Sequence, residues 1–236
     1  MNNKYILFLV SSLIININLI AQEVLLYGNA GYSIPISQTY YWTVEDDYTE
    51  LVKLEKSNFS KGFTISGGVS YFWDLNIGFD FKVSYLFMLE EETRLIHEDN
   101  YIEHFTNSNL SFVPTIILQT SHQKFRPYMK FGFSINFVNI DLSINQSKTV
   151  NTYSNDYSIG INATSGCNYN IDKHFAVFSE FSFSSFTFYA NKKTNGDTGI
   201  VSNLKDEFKG GIPTGEIAQA FPFSSMNISI GLKYRL

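Results

Sequence analysis

The sequence predicts an all-β fold, an eight-stranded antiparallel up-and-down transmembrane β-barrel. Three observations predict it. Long segments alternate apolar and polar residues with a period of two, which is the strand period. Several hold the alternation well past the ~5–6 residues of an ordinary soluble strand, near the ~9–11 that a tilted strand needs to cross hydrocarbon. The connections between them are short and long by turns, as in barrels with brief turns at one rim and bulky loops at the other.

The clearest segment is Lys124–Ser143. Arg126, Tyr128, Lys130, Gly132, Ser134 and Asn136 share one parity, and Pro127, Met129, Phe131, Phe133, Ile135 and Phe137 share the other. We read the apolar parity as facing lipid and the polar parity as lining the inside. Composition agrees. The chain has 236 residues, 22 Phe and 15 Tyr, only 17% charged residues and a formal charge of -5. The acidic balance argues against a nucleic-acid partner. A single Cys excludes an internal disulfide framework.

Residues 1–21 read as a secretory signal peptide: Lys4 opens it, Tyr5–Ile20 is mostly apolar, and Ala21 sets the expected cut. A short membrane anchor or a buried first strand is the alternative, but Asn16 and Asn18 interrupt the run. The mature domain is then 22–236.

Strand 1 covers about Val24–Ile36, with Leu26, Ala30, Tyr32 and Ile34 outward, and ends at Pro35. A long loop, Ser37–Asn58, carries Tyr40, Tyr41 and Trp42 and the acidic group Glu45, Asp46, Asp47 and Glu50. Strand 2, Phe59–Trp73, has Gly62, Thr64, Ser66, Gly68 and Ser70 inward. Asp74 and Leu75 turn into strand 3, Asn76–Glu90, with Gly78, Asp80, Lys82 and Ser84 inward. The second loop, Glu91–Thr106, is charged. Strand 4, Asn107–Ser121, contains Pro114, which implies a bulge or a locally unpaired position. His122–Lys124 turns into strand 5, described above. Asn145–Asn155 is the third loop. Strand 6, Asp156–Ile171, turns at Asp172 and Lys173 into strand 7, His174–Tyr189. The fourth loop, Ala190–Ser224, is the longest. Strand 8 closes the chain, with Asn227, Ser229, Gly231, Lys233 and Arg235 inward. A hairpin hidden in the fourth loop would make ten strands, but Gly interrupts its candidates. The loop pattern puts both termini in the periplasm.

Three pieces carry a family resemblance: FRPYMKFGFS (Phe125–Ser134), FAVFSEFSF (Phe175–Phe183) with an inward glutamate, and the closing MNISIGLKYRL (Met226–Leu236). The chain resembles the small outer-membrane β-barrels of the OmpA-like and OmpX-like superfamily, in the form common in Bacteroidetes-type bacteria. The resemblance implies the fold, the outer membrane and a monomer. It also implies contact with outer-membrane lipid and lipopolysaccharide, and with the barrel assembly machinery and periplasmic chaperones during biogenesis. No peptidoglycan-binding domain is expected after the barrel.

By parity the interior holds Asp80, Lys82, Arg126, Lys130, Glu180, Lys233 and Arg235. Eight strands leave room only for side chains, so these charges must pair or be solvated. We expect a network centred on Glu180 with Lys130 and Arg126, and Asp80 paired with Lys82 and, as an alternative or second partner, Lys130. No cofactor is expected. His97 and His104 lie among acids in the second loop, but their spacing is neither a metal nor a catalytic signature. The leading function is a structural outer-membrane barrel whose outer loops, including Glu45–Glu50, meet an extracellular ligand, without catalysis. A narrow channel for small or apolar solutes is the second reading, and a secreted soluble β-domain the third.

Overall fold

The computed structural model describes residues 23–36, 38–43, 51–57, 59–89, 91–94, 102–120, 124–144, 150–154, 157–203 and 220–236. Eight long strands form the wall: β1 Glu23–Pro35, β2 Gly62–Phe72, β3 Ile77–Met88, β4 Ile102–Gln119, β5 Phe125–Ile144, β6 Ser158–Asn170, β7 Phe175–Tyr189 and β8 Ala220–Arg235. Each pairs antiparallel with its sequence neighbours, and β8 pairs with β1 from Leu25↔Arg235 to Pro35↔Ser225. The sheet therefore closes with no free edge in its lower wall, which hydrocarbon demands of any spanning sheet.

Side chains alternate as the period of two requires. Phe63, Ile65, Phe79, Phe81, Met129, Phe131, Phe133, Ile159, Ile161, Ile228 and Ile230 stand exposed on the outer wall. Asp80, Lys130, Glu180 and Lys233 are buried inside it. A soluble domain hides the first group and shows the second, so the reading as a secreted soluble domain is overturned.

The loop end departs from the sequence reading. β4 begins at Ile102 and β8 at Ala220, each several residues earlier than expected. The first loop holds a hairpin, Gln38–Thr43 with Leu51–Ser57. Four short strands continue the wall as a partial collar. Glu91–Arg94 lies on β4, Val150–Ser154 on β5, Lys192–Thr194 on Val150–Ser154, and Val201–Asn203 outermost. The hairpin in the fourth loop adds to this collar rather than to the barrel, so the strand count stays at eight.

Pro114 pairs with Phe81 on β3 and is unpaired, rather than bulged, on the side facing β5. The β4–β5 ladder runs Phe112↔Ile135 and resumes at Thr115↔Gly132 without a change of register. Pairing with β5 lapses at Val113 and Pro114, where the proline has no N–H to donate, and the alternation stays intact.

Candidate functional site

The lumen is the only place where this architecture gathers polar chemistry among the described residues, and it is layered. At the turn end, Glu23 on β1 receives two cations: Arg126 Nη1 lies 3.2 Å from Oε2 and Arg235 Nε 2.6 Å from Oε1. Gln119 Nε2 donates to Glu23 at 3.4 Å and to the Leu75 carbonyl at 3.2 Å.

One layer up, Lys130 Nζ bridges two carboxylates, Glu180 at 2.8 Å and Asp80 at 3.2 Å. Each carboxylate also takes a tyrosine hydroxyl: Tyr27 donates to Asp80 at 2.8 Å and Tyr128 to Glu180 at 2.9 Å. Ser70 donates to Asp80 and Asn29 to Glu180. Lys233 is 2% exposed, and its ammonium sits against the rings of Tyr128 (4.0 Å), Phe178 (4.5 Å) and Tyr27 (5.6 Å). The negative faces of those rings solvate a cation that has no hydrogen-bond acceptor among the described residues.

The rings fit because a glycine faces each one across the strand. Tyr27 pairs with Gly68, Tyr128 with Gly166, Phe178 with Gly231, and Phe72 with Gly78. A Cβ on Gly166 would lie 2.4 Å from the Tyr128 ring, and one on Gly68 2.6 Å from the Tyr27 ring. Glycine gives the ring a flat floor in a space that has none to spare.

Above the charges lies a chamber of about 80 Å³ lined by hydroxyls, amides and Lys82. Phe186 and Phe223, stacked with centroids 4.9 Å apart, border it toward the loop end. They belong to an aromatic cluster with Phe59, Val138, Ile140, Tyr153, Phe188, Ala190 and Phe221 that fills the bore.

Two expected pairings are corrected. Arg126 reaches Glu23, not Glu180, because four residues of strand separate it from Lys130 and set it near the turn end. Of the two lysines expected beside Asp80, Lys130 makes the ion pair and Lys82 does not, because the Asp80 oxygens are held by Tyr27, Ser70 and Lys130. Glu23, Tyr27 and the aromatic cluster are additions. Tyr128 follows its inward parity into the lumen, while Trp73, Tyr169 and Tyr234 stand exposed at the turn end. His97 and the acidic residues Glu45, Asp46, Asp47 and Glu50 lie outside the described residues, as do the side chains of His104, Tyr40, Tyr41 and Trp42.

No protein-family model matches the chain, and no curated protein matches it. Solved structures do. A major outer membrane protein from Thermus thermophilus matches with a TM-score of 0.57 at 12% identity, over 90% of this chain and 99% of that one. The outer membrane protein OprG from Pseudomonas aeruginosa matches with 0.52 at 11%, over 92% and 96%. The outer membrane protease OmpT from Escherichia coli matches with 0.50 at 10%, over 92% and 97%. The fold is that of an outer-membrane β-barrel. At such identities the likeness carries the architecture and no activity.

An outer-membrane barrel should show where its hydrocarbon belt stops, and β5 does. Outward residues are apolar from Pro127 to Phe137, about 34 Å along the strand, or about 25 Å in height at a tilt of about 40–45°. At the next residues the polarity inverts. Val138 and Ile140 turn inward and are buried, while Asn139 is exposed. Past that point the outside is water, so the apolar face must go inside, as in any soluble sheet. The aromatic cluster is the core of this projecting part.

Proposed function

We propose that this protein is a non-conducting barrel of the outer membrane, with both termini in the periplasm, that holds the strand collar and loops at its far end outward as an interaction surface. The observation that carries this reading is the doubly filled bore. At the charge layer Lys130, Glu180, Phe178 and Lys233 are 1–2% exposed, and at the aromatic layer Phe221 is 0% and Phe223 1% exposed. Such packing supports a closed bore, because a solute would have to displace paired charges as well as packed rings. The collar strands extend the wall at the loop end, which favours a surface role over transport. Lipid and lipopolysaccharide would surround the belt, and the assembly machinery with periplasmic chaperones would act on the chain before insertion.

Catalysis is not part of this reading. The lumenal hydroxyls of Tyr27 and Tyr128 already donate to carboxylates, which makes them buttresses rather than nucleophiles. The narrow-channel reading makes the opposite electrical prediction. Purified protein refolded into planar bilayers should be silent, and steady single-channel steps at moderate voltage would overturn the closed barrel. Protease added to intact cells should clip the loops and spare both termini; loss of a C-terminal tag would reverse the orientation.

A further inference from the structure

We propose that the chamber between the two plugs is a binding site for one small monovalent anion, of chloride or bromide size, held by Lys82. Four observations carry this. Lys82 is 8% exposed and borders the chamber, and it has no ion pair and no hydrogen-bond partner among the described residues. A buried ammonium without an acceptor is costly. The lining supplies donors but no carboxylate: fifteen of its twenty residues are Ser, Thr or Asn. The described lumen carries five cations, Lys82, Lys130, Lys233, Arg126 and Arg235, against three carboxylates, Glu23, Asp80 and Glu180. Finally, a chamber of about 80 Å³, where each water takes about 10–15 Å³, has room for a halide together with several waters of its shell.

The serine-rich ring follows from the same reasoning. Ser134 and Ser182 accept from Asn136 and Thr164 and so keep their own rotatable O–H groups for an anion, whereas Ser66 and Ser111 donate to the Asn29 and Asn136 amide oxygens. Asp80 and Glu180 lie in the layer below, where Lys130 takes the direct contacts, so they act on Lys82 only through space and supply it no hydrogen-bond acceptor. Phe186 and Phe223 border the chamber on the loop side and would shield the ion there.

The test is a comparison of the full chain refolded separately in chloride, bromide and gluconate at equal ionic strength. A crystal grown from the bromide sample should show one anomalous peak about 3–3.5 Å from Lys82 Nζ. The chloride and bromide samples should melt a few degrees above the gluconate sample, saturating with halide. Lys82→Met keeps the length of the side chain and removes the charge, so it should fold and lose the halide response, whereas Lys82→Arg should keep it. A chamber with no anomalous peak would overturn the proposal, and this map needs no variant. An unchanged halide response in Lys82→Met would overturn it equally. Neither result bears on conductance, so the closed-barrel reading is tested separately.

Discussion

Glu180→Gln probes the charge layer directly. The substitution keeps volume and shape, and the amide oxygen can still accept from Tyr128, now 2.9 Å from Oε1. What it removes is the negative charge 2.8 Å from Lys130 Nζ. Stripping one partner from a buried ion pair costs about 3–5 kcal/mol, because the other charge is left uncompensated. Here Asp80 stays 3.2 Å from the same ammonium, which places the loss at the low end, about 3 kcal/mol. For a chain of this size that is a fall in melting temperature of about 6–12 °C. The measurement is thermal unfolding of refolded protein in detergent, read by circular dichroism and by gel mobility. Lys130→Met in the Glu180→Gln background supplies the control. With both partners gone, Asp80 keeps its hydroxyl donors from Tyr27 and Ser70, so the double variant should lose less than the sum of the singles. A Glu180→Gln melt within about 1 °C of the parent, or strict additivity, would refute the network.

Gly166→Ala should cost about 1–3 kcal/mol, since the new methyl would meet the Tyr128 ring at 2.4 Å; Tyr128→Leu in the same chain should recover part of that, as seen in denaturant titrations. At the turn end Arg235→Gln should cost about 1 kcal/mol or less, because its side chain is 29% exposed, and Arg126→Gln should cost more, its partner pair being about 11–12% exposed. The Asp172 carboxylate accepts backbone N–H bonds from Phe175 and His174, which holds its pKa below the usual carboxylate range. Its folded pKa is thus lower than its unfolded one. Its contribution should be complete above the unfolded value and vanish as the pH falls through the folded value; carbon NMR of the carboxyl should show the low midpoint, and Asp172→Asn should abolish that acid-side dependence.

How much of this is legible in the sequence depends on where the solvent changes. Between the turns and Phe137 the outside is apolar throughout, so parity alone sorts side chains correctly, and it places Asp80, Lys82, Lys130, Glu180 and Lys233 inside. Partners are harder. Parity gives the side of the wall but not the height, and closure staggers the strands, so Arg126 looks like a neighbour of Glu180 although it sits a layer lower. Glu23 escapes notice because it begins β1 beside the expected signal cleavage site. The loop end resists for a different reason. Above the belt the apolar parity inverts, and runs such as Phe186–Thr187–Phe188 and Phe221–Pro222–Phe223 no longer fit a lipid-facing rule; Ala220–Ser224 therefore reads as loop. The inversion itself, Phe137 followed by Val138, Asn139, Ile140 and Asp141, is visible in the letters and marks the boundary.

The ring–glycine pairs carry an evolutionary consequence. In homologous chains, position 68 should acquire a side chain only where position 27 has shed its aromatic, and positions 166 and 128, or 231 and 178, should drift in the same concerted way. Columns distant in sequence would then covary, and these couplings would hold the register of β1 on β2, β5 on β6 and β7 on β8 in any descendant of this barrel.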